Sequence, residues 1–178
     1  MGDAHRLPRR LAGGTRRILF VCTGNIFRSL TADVALRALL AVRDDLQVSS
    51  AGTDDYPHVV RPYTRDYLRT KGFDVAGHRR RTLTRSILEE SALAVAMSTD
   101  HQALIRARFG REVPVYLEAC GEPADWLPDI EDVVPDYQTN RPAVEAHVRM
   151  TIDRIVELAP RMAENIDLLL ARYRSDPG

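Results

Sequence analysis

The sequence predicts an α/β fold in which a four-stranded parallel sheet carries helices on both faces. Short apolar runs alternate with segments whose apolar residues recur at helical spacing, a pattern typical of βαβ units. Residues 92–97 contain no polar side chain, as expected of a strand that is buried on both faces. The chain has 178 residues, of which 44% are hydrophobic and 28% are charged, so it is long enough to bury one core.

The individual elements follow from local patterns. The predicted strands are short apolar runs bounded by turn residues: 17–21, 46–50, 92–97 and 113–117. The predicted helices show helical spacing after a capping residue, a proline or the polar loop: 30–40, 62–72, 84–90, 98–109 and a long closing helix from Pro142. Pro114 suggests that the fourth strand lies at an edge. Pro160 should break or kink the closing helix.

We expect a single domain over residues 15–175, preceded by a disordered leader over residues 1–14. The leader contains arginines but no apolar core, so it does not resemble a secretory signal. No apolar run approaches the length of a membrane span. The formal net charge is zero, which argues against nucleic acid or an anionic membrane as a partner. The sequence does not indicate an oligomeric state.

The first predicted strand runs directly into a polar loop, residues 22–29. A strand, a tight polar loop and a helix start, in this order, are typical of loops whose amide groups converge on a phosphate. The positive electrostatic potential of such amide groups would stabilise Cys22 as the nucleophilic thiolate. Arg28 adds a planar fork of donors that matches two phosphate oxygens. The loop therefore combines a nucleophile, an anion cradle and a charge clamp.

Three more residues of the loop favour this interpretation over the simpler one, in which Cys22 is a buried apolar residue at a strand end. Gly24 permits a backbone turn that other residues resist. Asn25 tolerates the left-handed conformation. Ser29 can donate a hydroxyl hydrogen to the Cys22 thiolate.

Residues 21–29, Val-Cys-Thr-Gly-Asn-Ile-Phe-Arg-Ser, resemble the signature loop of the low-molecular-weight protein tyrosine phosphatases. Residues 50–53 and 77–79 are similar to two further segments of that family, and the resemblance extends over residues 16–158. It implies a flavodoxin-like four-stranded parallel sheet, in agreement with the pattern above. It also implies a phosphatase that forms a phosphocysteine intermediate and needs no metal or other cofactor. The expected substrate is phosphotyrosine or a similar phosphate monoester, on a protein or a small molecule.

The resemblance also implies roles for single residues. Cys22 is the expected nucleophile and Arg28 the phosphate clamp. The remaining loop residues are expected to contact the substrate: Thr23, Gly24, Asn25, Ile26, Phe27 and Ser29. Ser50 and His78 are expected to support the loop. Without the resemblance, His78 would be interpreted as a solvated loop histidine. Ile26 favours phosphotyrosine, because relatives that act on phosphoarginine hold threonine at this place.

The acidic stretch 118–141 should supply the proton that the leaving oxygen requires. In the family this acid is the Asp of an Asp-Pro-Tyr segment, which the sequence lacks. Asp136, followed by Tyr137, is the preferred candidate, and Asp132 is the alternative. The simpler interpretation of either aspartate is a solvated turn carboxylate. Tyr137 is expected to wall the substrate pocket, or else to pack on the loop surface.

Two functions of different classes follow. The first is a cysteine-dependent phosphatase, and the second is a non-catalytic phosphate- or phosphotyrosine-binding module, which the altered acid segment motivates. An arsenate reductase shares the loop but needs further paired cysteines, whereas this chain has only Cys22 and Cys120. Phe27 stands where many relatives carry a second cysteine. Two cysteines form no disulfide framework, and a nucleophilic one needs a reducing compartment, so we expect a cytoplasmic protein.

Overall fold

A three-stranded parallel sheet forms the centre of the protein. The computed structural model describes residues 14–123 and 127–173. The strand order is β2-β1-β3, with β1 at Arg16–Cys22, β2 at Leu46–Gly52 and β3 at Leu93–Ala96. The register of the first pair ends with Cys22 opposite Gly52. The loop that follows β1 therefore begins at the carboxyl edge of the central strand, where α/β proteins bind ligands.

The prediction of a fourth strand at residues 113–117 is wrong, because the sheet has three strands in the described residues. This segment makes only an isolated parallel bridge, between Ala96 and Val115. Pro114 accepts one hydrogen bond from Ala96 N at 2.9 Å but has no amide hydrogen to donate in return. The chain then turns into a helix at Tyr116. The edge position suggested by Pro114 is thus occupied by a segment too short to count as a strand in the described parts of the chain.

Seven helices are found in the described residues. They are α1 (Arg28–Leu39), α2 (Pro62–Thr70), α3 (Arg85–Glu89), α4 (Thr99–Phe109), α5 (Tyr116–Ala119), α6 (Ile130–Val133) and α7 (Arg141–Arg172). The predicted caps are confirmed at two of them. Thr84 Oγ1 accepts from Ile87 N at 3.2 Å, and Gly110 ends α4 in the left-handed region at φ 74°.

The helices cover both faces of the sheet, as predicted. Ile18 and Phe20 of β1 point into a cluster that contains residues of α1, α5 and α7. Leu19 and Val21 point to the opposite face, into a cluster with residues of α3 and α4. This alternation follows from the two-residue period of a strand, and it buries β1 completely from Ile18 to Val21.

Pro160 does not break the closing helix. Helix α7 continues through it from Arg141 to Arg172. Pro160 is exposed, whereas its neighbours Leu158, Ala159 and Met162 are buried in the core. Burial of this apolar stripe on both sides of the proline offsets the missing backbone hydrogen bond, which is how packing overrides local propensity.

The predicted leader, residues 1–14, lies outside the described residues except for Gly14. The single domain over residues 15–175 stays a prediction. Among the helices that the structure describes, none has both the length and the apolar composition needed to cross a membrane.

The end of β2 allows a prediction about stability. A Cβ atom added at Gly52 would lie 2.4 Å from Thr23 O, a distance that real Cβ contacts essentially never show. Because Thr23 O belongs to the backbone and cannot rotate away, we expect Gly52→Ala to lower the free energy of unfolding by about 1–3 kcal/mol. Urea unfolding measures this. Gly77→Ala is the matched control, since a Cβ at Gly77 meets no atom within 4 Å. A Gly52→Ala protein as stable as this control would contradict the prediction.

Candidate active site

The polar loop at residues 22–29 connects the end of β1 to the start of α1. Cys22 is the last residue of β1 and Arg28 the first residue of α1. Both side chains are buried, with 2% and 3% of their surface exposed. The loop therefore presents a thiol and a guanidinium from two rigid elements rather than from flexible chain.

Asn25 holds the shape of the loop. It is fully buried and is the non-glycine residue with positive φ in the described chain, at 55°. Its Oδ1 accepts from Arg81 N at 3.0 Å, and its carbonyl oxygen accepts from His78 Nε2 at 2.7 Å. Its Nδ2 donates to Ser29 Oγ at 3.1 Å. These three bonds fix a backbone conformation that costs energy for a residue with a Cβ.

The thiol of Cys22 lies beside a polarised hydroxyl. Ser29 Oγ is 2.9 Å from Cys22 Sγ. Because Ser29 already accepts a hydrogen from Asn25, its own hydroxyl hydrogen is available to the sulfur. The structure thus links Asn25, Ser29 and Cys22 in one chain of hydrogen bonds.

Ser50 and His78, the expected supports of the loop, contact different parts of the site. His78 bonds directly to the Asn25 carbonyl. Ser50 is buried at the end of β2, and its hydroxyl donates to Asp33 Oδ2 at 2.9 Å. Asp33 in turn forms an ion pair with Arg37. Ser50 therefore acts on α1, the helix that carries Arg28, rather than on the loop itself.

The guanidinium of Arg28 contacts an aspartate that the sequence analysis did not select. Its Nη2 forms an ion pair and hydrogen bond with Asp129 Oδ2. Its Nη1 donates to the carbonyl oxygen of Leu127 at 2.9 Å. Asp129 keeps about a third of its side chain exposed, at 35%. A carboxylate thus occupies part of the donor fork that a phosphate would use.

The segment around Asp129 is held in place from several sides. Asp129 N donates to Asp132 Oδ2 at 2.8 Å, and Asp129 and Asp132 form a capping box at the start of α6. His147 of α7 lies 3.2 Å from the carbonyl oxygen of Pro128 and donates to it. Asp132 therefore caps the backbone of Asp129, and the structure gives it a supporting role.

Asp136, the preferred acid, lies in a different setting. It is exposed, and its Oδ2 accepts from Asn140 Nδ2 at 3.0 Å, next to the start of α7. Tyr137 is 36% exposed, and its hydroxyl accepts from Gln138 Nε2 at 3.4 Å. The structure does not show either side chain in contact with residues 22–29. Their predicted roles stay predictions without a supporting contact.

The outer rim of the loop is apolar and aromatic. Ile26 is half-buried and remains accessible. The ring of His58 packs over Gly24, where an added Cβ would lie 3.2 Å from the ring. Asp54 orients His58 through a 2.8 Å bond, and Tyr56 lies against His58 with ring centroids 5.1 Å apart. These rings were not predicted, because the stretch 53–61 carries no periodic pattern.

Phe27 faces away from this rim. Its side chain is 6% exposed and packs in a third apolar cluster between α1, α2 and α7. Its ring meets that of His147 edge to face, with centroids 6.4 Å apart. Of the predicted substrate contacts, Phe27 can therefore offer only its backbone.

Thr23 makes a contact that the sequence did not suggest. Its Oγ1 is 2.9 Å from Nε2 of His101, the third residue of α4, and 3.5 Å from Arg28 Nη2. Ser98 Oγ, which caps α4, lies 2.6 Å from His101 Nδ1. Burial and the nearby Arg28 charge lower the pKa of His101 to about 4. The signal that could have found His101 is its place just after β3, at the same sheet edge as Cys22.

The second cysteine, Cys120, is held as an unreactive thiol. Cys120 is buried beside Tyr116, and burial raises the pKa of its thiol to about 12. A thiol held in this neutral form is a poor nucleophile. Within the described ranges, no group of three or more His, Cys, Asp or Glu side chains is arranged to hold a metal ion.

The comparisons with known proteins agree on one family. The family model of low molecular weight phosphotyrosine protein phosphatases matches residues 17–168. The protein-arginine-phosphatase of Bacillus subtilis (strain 168) is 34% identical over 97 residues, or 53% of this chain and 63% of that protein. An arsenate reductase of Staphylococcus aureus (strain Newman) is 33% identical over 85 residues, covering 48% and 62% of the two chains. The chain thus spans less than two thirds of the length of these curated relatives.

Solved structures share the fold. The low molecular weight protein tyrosine phosphatase from T. tengcongensis superimposes with a TM-score of 0.70 at 23% identity. The match covers 85% of this chain and 99% of that structure.

The buried histidine of α4 leads to a prediction about pH. Because the folded protein keeps His101 neutral down to a pKa of about 4, while the unfolded chain binds a proton near 6.5, stability falls as the pH drops between these values. We expect this site to cost about 3 kcal/mol between pH 7 and pH 4. Urea unfolding of the wild type and of His101→Gln at both pH values isolates the effect, since the other titrating groups are common to both. An equal loss of stability in the two proteins would contradict it.

Proposed function

Because the chain belongs to the low molecular weight phosphotyrosine protein phosphatase family, we propose that it hydrolyses aryl phosphate monoesters such as phosphotyrosine through a phosphocysteine intermediate. The observation that carries this proposal is the convergence of a thiol, a guanidinium and a carboxylate on one loop: Cys22, Arg28 and Asp129. Together these groups supply a nucleophile, an anion clamp and a proton donor.

In the first step, substrate phosphate binds to the loop amides and to Arg28. The Cys22 thiolate attacks phosphorus, the S–P bond forms, and the ester P–O bond breaks on the opposite side. The Ser29 hydroxyl, 2.9 Å from the sulfur, stabilises the thiolate before attack and after release. Positive charge from Arg28 and the amides offsets the charge on the equatorial oxygens, so the loop requires no metal for this role.

We assign the proton transfers to Asp129 instead of Asp136. Phosphate binding engages the donor fork of Arg28, which releases the Asp129 carboxyl group toward the leaving oxygen. Once released from Arg28 and placed beside the phosphate anion, the Asp129 carboxylate takes up a proton from solvent. Asp129 gives this proton to the leaving oxygen, and then accepts a proton from the water that attacks the phosphocysteine. The second attack breaks the S–P bond and restores the thiolate. Capping by Asp132 and the bond from His147 to Pro128 keep the acid segment positioned for both steps.

The rim supports an aromatic substrate. Ile26 and the rings of His58 and Tyr56 offer flat apolar surface at the entrance. A phenyl ring can pack on such a surface. We therefore propose phosphotyrosine, in a protein or as a small ester, as the substrate class, and Tyr137 as a further wall residue.

The two alternatives are weaker than the phosphatase. A non-catalytic binding module was motivated by the altered acid segment, but Asp129 provides a carboxylate at the clamp. Arsenate reduction needs a thiol that can reach the nucleophile, and Cys120 is buried at 1% exposure with a raised pKa. The need to keep Cys22 reduced supports a cytoplasmic location.

Replacement of the nucleophile tests the function. Cys22→Ser should abolish turnover of phenyl phosphate and p-nitrophenyl phosphate, while inorganic phosphate still binds, because the cradle does not depend on sulfur. Steady-state kinetics and calorimetry measure the two properties. Cys120→Ala is the control and should keep its activity. Turnover by the Cys22→Ser protein would refute the assignment.

The identity of the acid is tested by leaving-group dependence. Asp129→Asn should slow hydrolysis of phenyl phosphate by about 10²-fold, and that of p-nitrophenyl phosphate less, because nitrophenolate needs less protonation. Asp136→Asn should behave like the wild type with both esters. If Asp136→Asn shows the leaving-group-dependent loss and Asp129→Asn does not, the acid is Asp136.

A further inference from the structure

His101 is a buried polar side chain that the mechanism above does not use. It is 6% exposed and lies at the start of α4, while the residues that it contacts lie in the loop and in the cap. Both of its ring nitrogens have an oxygen partner within 2.9 Å: Thr23 Oγ1 on Nε2 and Ser98 Oγ on Nδ1. A histidine placed only for packing does not need two such short bonds.

The bonding pattern assigns the ring hydrogen. Ser98 Oγ accepts the amide hydrogen of His101 at 3.4 Å, so its hydroxyl hydrogen can be donated to Nδ1. A neutral imidazole that accepts at Nδ1 carries its hydrogen at Nε2. Nε2 therefore donates to Thr23 Oγ1, which also accepts from Arg28 Nη2. Thr23 is thus fixed between a neutral ring and a cation.

We infer that His101 is a positioning residue for the phosphate clamp: through the Thr23 hydroxyl it sets the place of the Arg28 guanidinium. This inference rests on the proposed function. Arg28 has three acceptors, Thr23, Leu127 and Asp129, and a phosphate must displace the last of them. The first two then remain as the anchors that orient the donor fork, and Thr23 is itself anchored by His101.

Neutrality of the ring suits this role. The charged groups that act on it are Arg28 of α1, which opposes a second positive charge, and Asp129 before α6, which favours one. A protonated ring would compete with Arg28 for the Asp129 carboxylate and for the phosphate. Burial lowers the pKa of His101 to about 4, so the ring is neutral at neutral pH and its Nε2 can donate to Thr23.

Two isosteric variants separate positioning from packing. The amide nitrogen of glutamine can take the place of Nε2, whereas asparagine can reach only the place of Nδ1. We expect His101→Asn to lower kcat/KM for phenyl phosphate about tenfold, the loss typical of one buried hydrogen bond. His101→Gln should stay within about threefold of the wild type, because it restores the bond to Thr23. Equal losses in the two variants would overturn the inference.

A double-mutant cycle with Thr23→Val gives a second test. If His101 acts through Thr23, the double variant Thr23→Val/His101→Asn loses no more activity than the worse single variant. Additive losses would overturn the inference. Gln102→Ala is the matched control, because it removes a 2.7 Å bond to Val113 O from the same helix without facing the loop. It should lower Tm and leave kcat/KM unchanged.

The affinity for inorganic phosphate separates this inference from the proposed function. It is measured by calorimetry on the Cys22→Ser protein, which needs no turnover. Weaker phosphate binding in Cys22→Ser/His101→Asn, restored in Cys22→Ser/His101→Gln, supports the role of His101 even if the wild type hydrolyses neither ester. Unchanged phosphate binding together with unchanged kcat/KM in His101→Asn overturns the inference and leaves the phosphatase assignment intact.

Discussion

The left-handed backbone of Asn25 is the constraint on which the site depends. A chain that leaves the central strand and enters α1 within five residues must turn sharply, and this conformation is unfavourable for a residue with a Cβ. Three hydrogen bonds stabilise this conformation of Asn25: it accepts from Arg81 and His78 and donates to Ser29. Because Ser29 is also the neighbour of the Cys22 sulfur, the bonds that stabilise the turn also place the hydroxyl beside the thiol.

The same loop is organised differently at its two ends. At the thiol end, Cys22 contacts Ser29 of the same loop, and Asn25 contacts His78 and Arg81 of the segment between α2 and α3. At the arginine end, the partners come from two distant segments: Leu127 and Asp129 lie before α6, and His101 of α4 acts through Thr23. The surroundings of Cys22 therefore depend on its own loop and on the segment between α2 and α3, whereas those of Arg28 depend on α4 and on the segment before α6.

This division explains how much the sequence could predict. The strand, the polar loop and the helix start were predictable because a few consecutive residues encode them, whereas Ser50 and His78 were expected only from the family resemblance, since His78 lies 53 positions from Asn25. Asp129, which we propose as the acid, was not predicted, since it is held by a contact with a residue 101 positions away and is followed by isoleucine instead of the family's proline. Asp136 matched the expected aromatic neighbour, but the structure uses it beside Asn140, at the start of α7. The fourth strand failed for a similar reason, because one bridge at Val115 does not outweigh a proline and a helix that starts at Tyr116.

Packing of α1 against α7 has a consequence for the kinetics of folding. The two helices pack extensively on each other, although more than a hundred residues separate the end of one from the start of the other. Contacts of such high sequence separation form only after the entropy of closing a long loop has been overcome, and they slow folding. His147 of α7 is also the residue that bonds to the segment before Asp129. The position of the segment before Asp129 is consequently coupled to the docking of α7.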